Sequence, residues 1–251
     1  MTTWIEGRVA GRRPMADTLH TLLVDAPQVA FVAGQFARLA LPAPPGAKDP
    51  MIARPYSFVN PPWRAPHEFY FNVLPEGPLS PRLATLDVGD KVWLAPRASG
   101  MFTIAETMPA DVLWCLSTGT GIGPFLSMLR TEEPWDKFGN VVLVHAVRRG
   151  IDLSYREEIG GIARAHEGRF RYVPMVSRES YPDALAGRIP AAIADGRLEA
   201  NAGLPLTAAN AHAMLCGNPA MVDDVQAVLA TRGMRRHRRK EPGHVTLETY
   251  W

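Results

Sequence analysis

The chain has 251 residues, 47% hydrophobic and 21% charged, which is enough apolar material for one large domain or two of ordinary size. Lysine and arginine number 27 against 25 aspartate and glutamate, so the net charge of +2 gives no general basic excess that would point to nucleic acid. No apolar run approaches the roughly 20 residues of a membrane span. The start, Met1 to Glu6, lacks the basic-then-apolar pattern of a signal peptide, so the cytoplasm is the expected compartment. The two cysteines, Cys115 and Cys216, cannot supply four ligands to an iron–sulfur cluster and lie in no zinc-like spacing. No metal site is expected, and any iron–sulfur partner would be a separate protein.

The first hundred residues read as short strands, at 4–8, 19–24, 36–41, 55–60, 68–74 and 91–95, separated by Gly, Pro and Asp turns. That spacing predicts a closed antiparallel barrel. One helix interrupts it at 80–86, with Ser80 as N-cap and Pro81 at the first helical position. After Thr103 the texture changes. Strands are predicted at 112–117, 141–144, 170–176 and 211–215, alternating with helices at 125–129, 155–166, 189–195 and 221–231. Such alternation predicts a doubly wound parallel sheet. The expected division is 1–103 for the barrel and 104–251 for the α/β domain.

The turn after the first strand of the second half reads Thr118-Gly119-Thr120-Gly121-Ile122-Gly123-Pro124. Glycines there let a backbone approach a pyrophosphate, and a helix start favours the anion. A tight strand–helix turn would need the same residues, and the spacing departs from the G-x-G-x-x-G fingerprint. The next strand ends in Val147-Arg148-Arg149, where an NAD site usually carries an acid. The one after ends in Ser177-Arg178, and Arg188 follows Gly187. Ends of successive parallel strands share an edge, so Arg148, Arg178 and Arg188 could converge on a 2′-phosphate, making NADP(H) better supported than NAD(H). Cys216 ends the fourth strand, before Gly217-Asn218-Pro219, where a small polarisable side chain could touch a nicotinamide. Cys115 lies inside a strand and reads as core. The cluster Arg232, Arg235, Arg236, His237, Arg238, Arg239 and Lys240 contains no acid; it is either a solvated loop or a docking or phosphate-binding patch.

In the first half, Arg54-Pro55-Tyr56-Ser57 opens an apolar run. Strand alternation puts Arg54 and Tyr56 on one face, the first able to bind a pyrophosphate and the second to stack on a flat ring. Ser57 can offer a hydroxyl to a ring nitrogen. An edge strand with an ordinary tyrosine would look the same.

Taken in order, Arg54 to Ser57, Gly77-Pro78-Leu79-Ser80, Thr118 to Pro124, Cys216 to Pro219 and the end Glu248-Thr249-Tyr250-Trp251 resemble the bacterial ferredoxin/flavodoxin–NADP reductases. The pieces between also match: Val144-His145-Ala146, Asp152-Leu153-Ser154-Tyr155, Val176-Ser177-Arg178 and Gly187-Arg188-Ile189-Pro190. The resemblance covers nearly the whole chain, with Pro55 in the variable position of its motif. It implies a six-stranded Greek-key barrel that binds FAD, followed by an NADP-binding α/β domain. It implies that Arg54, Pro55, Tyr56 and Ser57 hold FAD, with Tyr70, Phe71, Asn72 and Val73 on the next strand lining the flavin. Leu79 and Ser80 would hold the FAD phosphates, and Thr120 would touch flavin or nicotinamide. Thr118, Gly119, Gly121, Val147, Arg148, Ser177, Arg178, Arg188, Asn218, Pro219 and Asp224 would bind NADP. Tyr250 would cover the flavin where nicotinamide enters, and Trp251 would stack on the FAD adenine. Ser57, Cys216 and Glu248 are the expected catalytic residues: Ser57 and Glu248 tuning protonation of the flavin, Cys216 positioning the nicotinamide. The implied partner is a ferredoxin or flavodoxin, with no nucleic acid and no membrane, and the implied state a monomer. An NADPH–flavin reductase or the electron-supplying component of an oxygenase would use the same scaffold. An FAD-carrying sensor would not need the hydride-transfer groups, and a ligand-free α/β protein would need several motifs to coincide.

Overall fold

The computed structural model describes residues 3–249. The chain folds as two compact units, Met1–Thr103 and Ile104–Trp251, each with its own apolar core.

The first unit contains β1 (Ile5–Ala16), β2 (Leu19–Asp25), β3 (Phe36–Pro42), β4 (Met51–Ser57), β5 (His67–Asn72) and β6 (Lys91–Leu94). They pair in the order β4-β3-β6-β1-β2-β5, every pairing antiparallel. The two ends of that order meet through a bridge between Phe58 and Phe69, and Val59 N–H donates to Glu68 O at 2.9 Å. The sheet thus closes into the expected barrel. Its interior is filled by Val9, Leu22, Val24, Leu39, Phe58, Phe69, Phe71, Val92 and Leu94. A helix, α1 (Ser80–Ala84), caps the core with Leu79 and Leu83.

Several bounds differ from the sequence reading for physical reasons. β1 continues well past residue 8, because its second half pairs with β2 through Arg12, Arg13 and Pro14, polar positions with little apolar alternation. β4 begins at Met51 and ends at Ser57. Pro55 is tolerated there because β4 is laddered to β3 alone, so its missing N–H faces no partner strand. Ser80 is not the N-cap of α1: Leu79 occupies that position, and Ser80 Oγ accepts the N–H of Leu74 at 3.0 Å, closing the 74–80 loop.

The second unit holds β7 (Val112–Thr118), β8 (Asn140–Val147), β9 (Phe170–Val176), β10 (Leu185–Ala186), β11 (Ala211–Gly217) and β12 (Val245–Thr249). The sheet is fully parallel, in the order β10-β9-β8-β7-β11-β12. Every residue of β11 and nearly every residue of β7 and β8 is buried, as expected for strands covered on both faces. Trp114, Leu116, Val142, Val144, Ala213 and Leu215 pack on α5 (Ile189–Ala194), α6 (Arg197–Ala202) and α7 (Pro219–Thr231). The intervening Leu113, Cys115, Val141 and Leu143 are equally buried on the other face. The remaining helices are α2 (Gly123–Leu129), α3 (Glu133–Lys137) and α4 (Arg156–Ala165). Sequence reading missed α3, α6, β10 and β12. The first three are too short to show a period, but Val245-Thr246-Leu247 does alternate, and β12 was legible.

Two arginines act as internal staples. Arg169 donates to the carbonyls of Trp135, Phe138 and Gly139, tying the end of α3 to the start of β9. Arg232 donates to Glu199 Oε2 at 2.6 Å and to the carbonyls of Leu206 and Ile193. Among the described residues no helix is long and apolar enough to cross a membrane, and no cluster of potential metal ligands occurs.

Candidate nucleotide and flavin sites

The order of the parallel sheet reverses between β7 and β11, and in open α/β sheets that reversal opens a crevice at the carboxyl ends of the strands. Here the two strand ends are locked together. Asn218 N–H donates to Thr118 Oγ1 at 3.0 Å. A side chain on Gly121 would collide with the Cys216 carbonyl, and one on Gly217, whose φ is +141°, would collide with Thr118. These glycines are therefore required by close backbone packing, whatever they bind. The glycine turn itself is a 3-10 helix, Gly119–Ile122, leading into a seven-residue α2. The helix expected at 125–129 is present and begins two residues earlier, at Gly123. Pro124 lies at the start of α2.

His145, on β8, supports this turn from below. It is fully buried, and burial pushes its pKa down to about 4. A neutral ring then donates from Nε2 to Gly119 O, 3.2 Å away, and leaves Nδ1 without a partner. His145 entered the sequence reading only as part of a matching tripeptide; its role beneath the loop could not be read without the strand register.

Arg148, Arg178 and Arg188 stand at the ends of three neighbouring strands. Arg178 N–H donates to Arg148 O at 2.9 Å, and Gly187 N–H to Val176 O at 3.0 Å. Ser177 donates from Oγ to Val147 O at 3.2 Å, so this hydroxyl is engaged with backbone. All three arginines are exposed, and none makes an ion pair among the described residues. Val147 itself is buried, in a small cluster with Leu153 and Val176. Asn218 caps α7, its Oδ1 accepting from Ala220 N and Met221 N, with Pro219 in the first helical turn. Asp224 lies exposed farther along α7.

Cys216 is fully buried and faces Ser117 of β7 and Glu248 of β12 in register. Glu248 therefore belongs to the edge strand of the sheet and not to a loose tail. Its Oε2 is buried with no partner, and burial pushes its pKa up to about 7. Burial also pushes the Cys115 thiol up, in keeping with a core role. Tyr250 and Trp251 lie outside the described residues.

In the first unit, Arg54, Pro55, Tyr56 and Ser57 occupy the end of β4. Arg54 is exposed, donating to its neighbour Ala53 O at 2.8 Å. Tyr56 is half-buried and meets Phe71 edge-on at 5.7 Å, and burial pushes its phenol up to about 12. Ser57 is buried. On β5, Tyr70 and Phe71 are buried and Asn72 is exposed, with Val73 packed on the barrel core. Leu79 and Ser80 are both buried at the start of α1, and Thr120 is half-buried in the 3-10 turn of the second unit.

The basic cluster is smaller in space than in sequence. Arg232 is an internal staple, Arg238 pairs with Glu241 at 3.4 Å and Arg239 with Glu106 at 3.3 Å. His237 Nδ1 accepts from Gly243 N. Arg235, Arg236 and Lys240 remain exposed with no carboxylate partner among the described residues.

Residues 115–227 match the family described as oxidoreductase NAD-binding domain. The chain is 44% identical to a flavodoxin/ferredoxin–NADP reductase of Escherichia coli over 252 positions, covering 100% of both chains. It is 34% identical to a flavodoxin/ferredoxin–NADP reductase of Rhodobacter capsulatus, over 96% of this chain and 90% of that one. Among solved structures, a ferredoxin NADP+ reductase from Neisseria gonorrhoeae with bound FAD and NADP aligns at a TM-score of 0.92 and 29% identity, with 100% of each chain covered.

Proposed function

Because the chain belongs to the flavodoxin/ferredoxin–NADP reductase family, we infer that this oxidoreductase takes hydride from NADPH and passes the electrons singly to a flavodoxin or ferredoxin. Bound FAD would supply the conversion between a two-electron donor and a one-electron acceptor. The observation that carries the NADPH assignment is the row of three unpaired guanidinium groups on adjacent strand ends. Among the described residues none makes an ion pair with them, and their planar forks suit a phosphate dianion.

The residues present fit both groups. Thr118 and Gly119 form a half-buried turn with little side-chain bulk, seated on the buried Gly121, and Asn218 and Pro219 border it. In the barrel, Arg54 would meet the FAD pyrophosphate and Tyr56 would stack on the flavin, with Ser57 offering its hydroxyl. Cys216 is held by strand register at the end of β11, and its thiol would orient a nicotinamide once the covering residues give way, since it is fully buried here. Glu248, with a pKa raised to about 7, is poised to hold or release a proton near neutral pH. Replacing it with glutamine should remove a group titrating near 7 from the pH profile of acceptor reduction; an unchanged profile would deny it that role. For an acidic acceptor protein, Arg235, Arg236 and Lys240 offer the cationic surface.

The test is an anaerobic titration of the purified flavoprotein, following its absorption band, with NADPH and separately NADH. The reduced protein is then mixed with oxidised flavodoxin or ferredoxin at low and high salt. Bleaching by NADPH at far lower concentration than NADH, then reoxidation that slows with salt, is expected. A colourless protein that takes up no FAD, or equal response to both nucleotides, would overturn the reading.

A further inference from the structure

The arginines that would read the 2′-phosphate sit on loops, yet those loops are clamped by residues that touch neither guanidinium. Past β8 the chain turns at Gly150; past β9 it turns at Tyr181. Glu179 Oε1 accepts the N–H of Gly150 at 2.6 Å. The Tyr181 ring fills the space a side chain on Gly150 would need. Arg156, from the first turn of α4, donates to Tyr181 Oη at 3.0 Å, and its guanidinium carbon lies 5.9 Å from the ring centroid. The ring packs against the small cluster of Val147, Leu153 and Val176, directly under both arginine-bearing strand ends.

We propose that Tyr181, wedged onto Gly150, is a positioning residue that fixes the spacing of Arg148 and Arg178 and thereby sets the preference for a nucleotide bearing a 2′-phosphate. The proposal rests on NADPH being the donor. A phosphate held between two independently mobile loops would have to order both on binding. Here that cost is met during folding: backbone bonds join residues 147–148 to 177–178, and the tyrosine keeps the turns beyond them from separating. Bidentate contacts demand such fixity, since small displacements of positioned groups carry large losses.

The experiment compares wild type, Tyr181→Ala, Tyr181→Phe and Gly150→Ala as holoproteins. Calorimetry gives the affinity for 2′-phospho-AMP and for AMP, and kinetics give KM and kcat with NADPH and NADH. Tyr181→Ala should weaken 2′-phospho-AMP by roughly tenfold or more while AMP binding holds, and raise KM for NADPH with kcat retained. Tyr181→Phe should restore the preference, because the ring is the wedge. Gly150→Ala should reproduce Tyr181→Ala by expelling the ring, which supplies a second route should the first variant fold poorly. If the ratio of 2′-phospho-AMP to AMP affinity stays at the wild-type value in both Tyr181→Ala and Gly150→Ala, or both ligands weaken equally, the positioning role is wrong. A wild-type protein with no such preference would instead sink the NADPH assignment on which it stands.

Discussion

Acidification from pH 7 to pH 4 should cost the second unit about 3 kcal/mol net, as the balance of a larger loss and a partial gain. The loss comes from His145 and His212. Burial holds the first at a pKa of about 4. Burial first, then the charges of His237, Lys137 and His244, hold the second at about 3. His212 is fixed as a neutral ring: Nδ1 accepts Met108 N–H at 3.2 Å and Nε2 donates to Thr246 Oγ1 at 2.9 Å. Both rings have folded values below the unfolded value near 6.5, so their stabilisation is complete above that pH and is lost as pH falls toward the folded values. By pH 4 the two together forfeit about 6 kcal/mol. Glu248 works in the opposite sense. Its folded pKa of about 7 exceeds the ordinary glutamate value of 4.5, so it costs stability at pH 8 and returns about 3 kcal/mol between pH 7 and pH 4. Urea denaturation at pH 4 to 8 tests this. Glu248→Gln should be more stable than wild type at pH 8 and fall more steeply on acidification, whereas His212→Gln should flatten the acid limb. A stability profile in Glu248→Gln that is no steeper than wild type would show that these groups do not govern acid unfolding.

Gly217→Ala should be the most damaging single-atom change at the strand reversal, costing about 3 kcal/mol or more. At φ of +141° an L-residue is strained, and the added Cβ runs into Thr118. Trimming the obstacle should not rescue it, since the backbone O and N of Thr118 also stand 2.9 and 3.0 Å from that position. The double variant with Thr118→Ala should therefore remain destabilised, and should lose the hydrogen bond from Asn218 N–H as well. Thermal unfolding and NADPH-dependent bleaching would both decline. Full recovery in the double variant would mean that the side chain alone sets the limit.

Much of the fold was readable because the barrel strands alternate and the α/β strands are continuous apolar runs. Phe170–Val176 was placed to the residue although Arg171 and Pro174 interrupt its apolar positions. The common location of Arg148, Arg178 and Arg188 was legible because strand ends of a parallel sheet share an edge. What stayed hidden depended on partners distant in sequence. The alternation from Val245 marks a strand, but that Glu248 stands beside Cys216 follows only from the pairing of β12 with β11. Arg232 reads as surface charge until Glu199 and two carbonyls claim it. Gly150 carries no signal until Tyr181, some thirty residues on, fills its side-chain space. Ser80 has the right residue type and neighbour for an N-cap, but its hydroxyl oxygen accepts a loop N–H instead.

The closure of the barrel has a dynamic consequence. Five of its six seams are laddered, while β4 and β5 are pinned by one bridge at Phe58 and Phe69. Native-state fluctuations should open that seam ahead of the others, because it has the fewest hydrogen bonds to break. Arg54, Tyr56, Tyr70 and Asn72 lie along it. A flat ligand laid across the two strands would serve as the missing rungs, so occupancy and rigidity of the barrel would rise together.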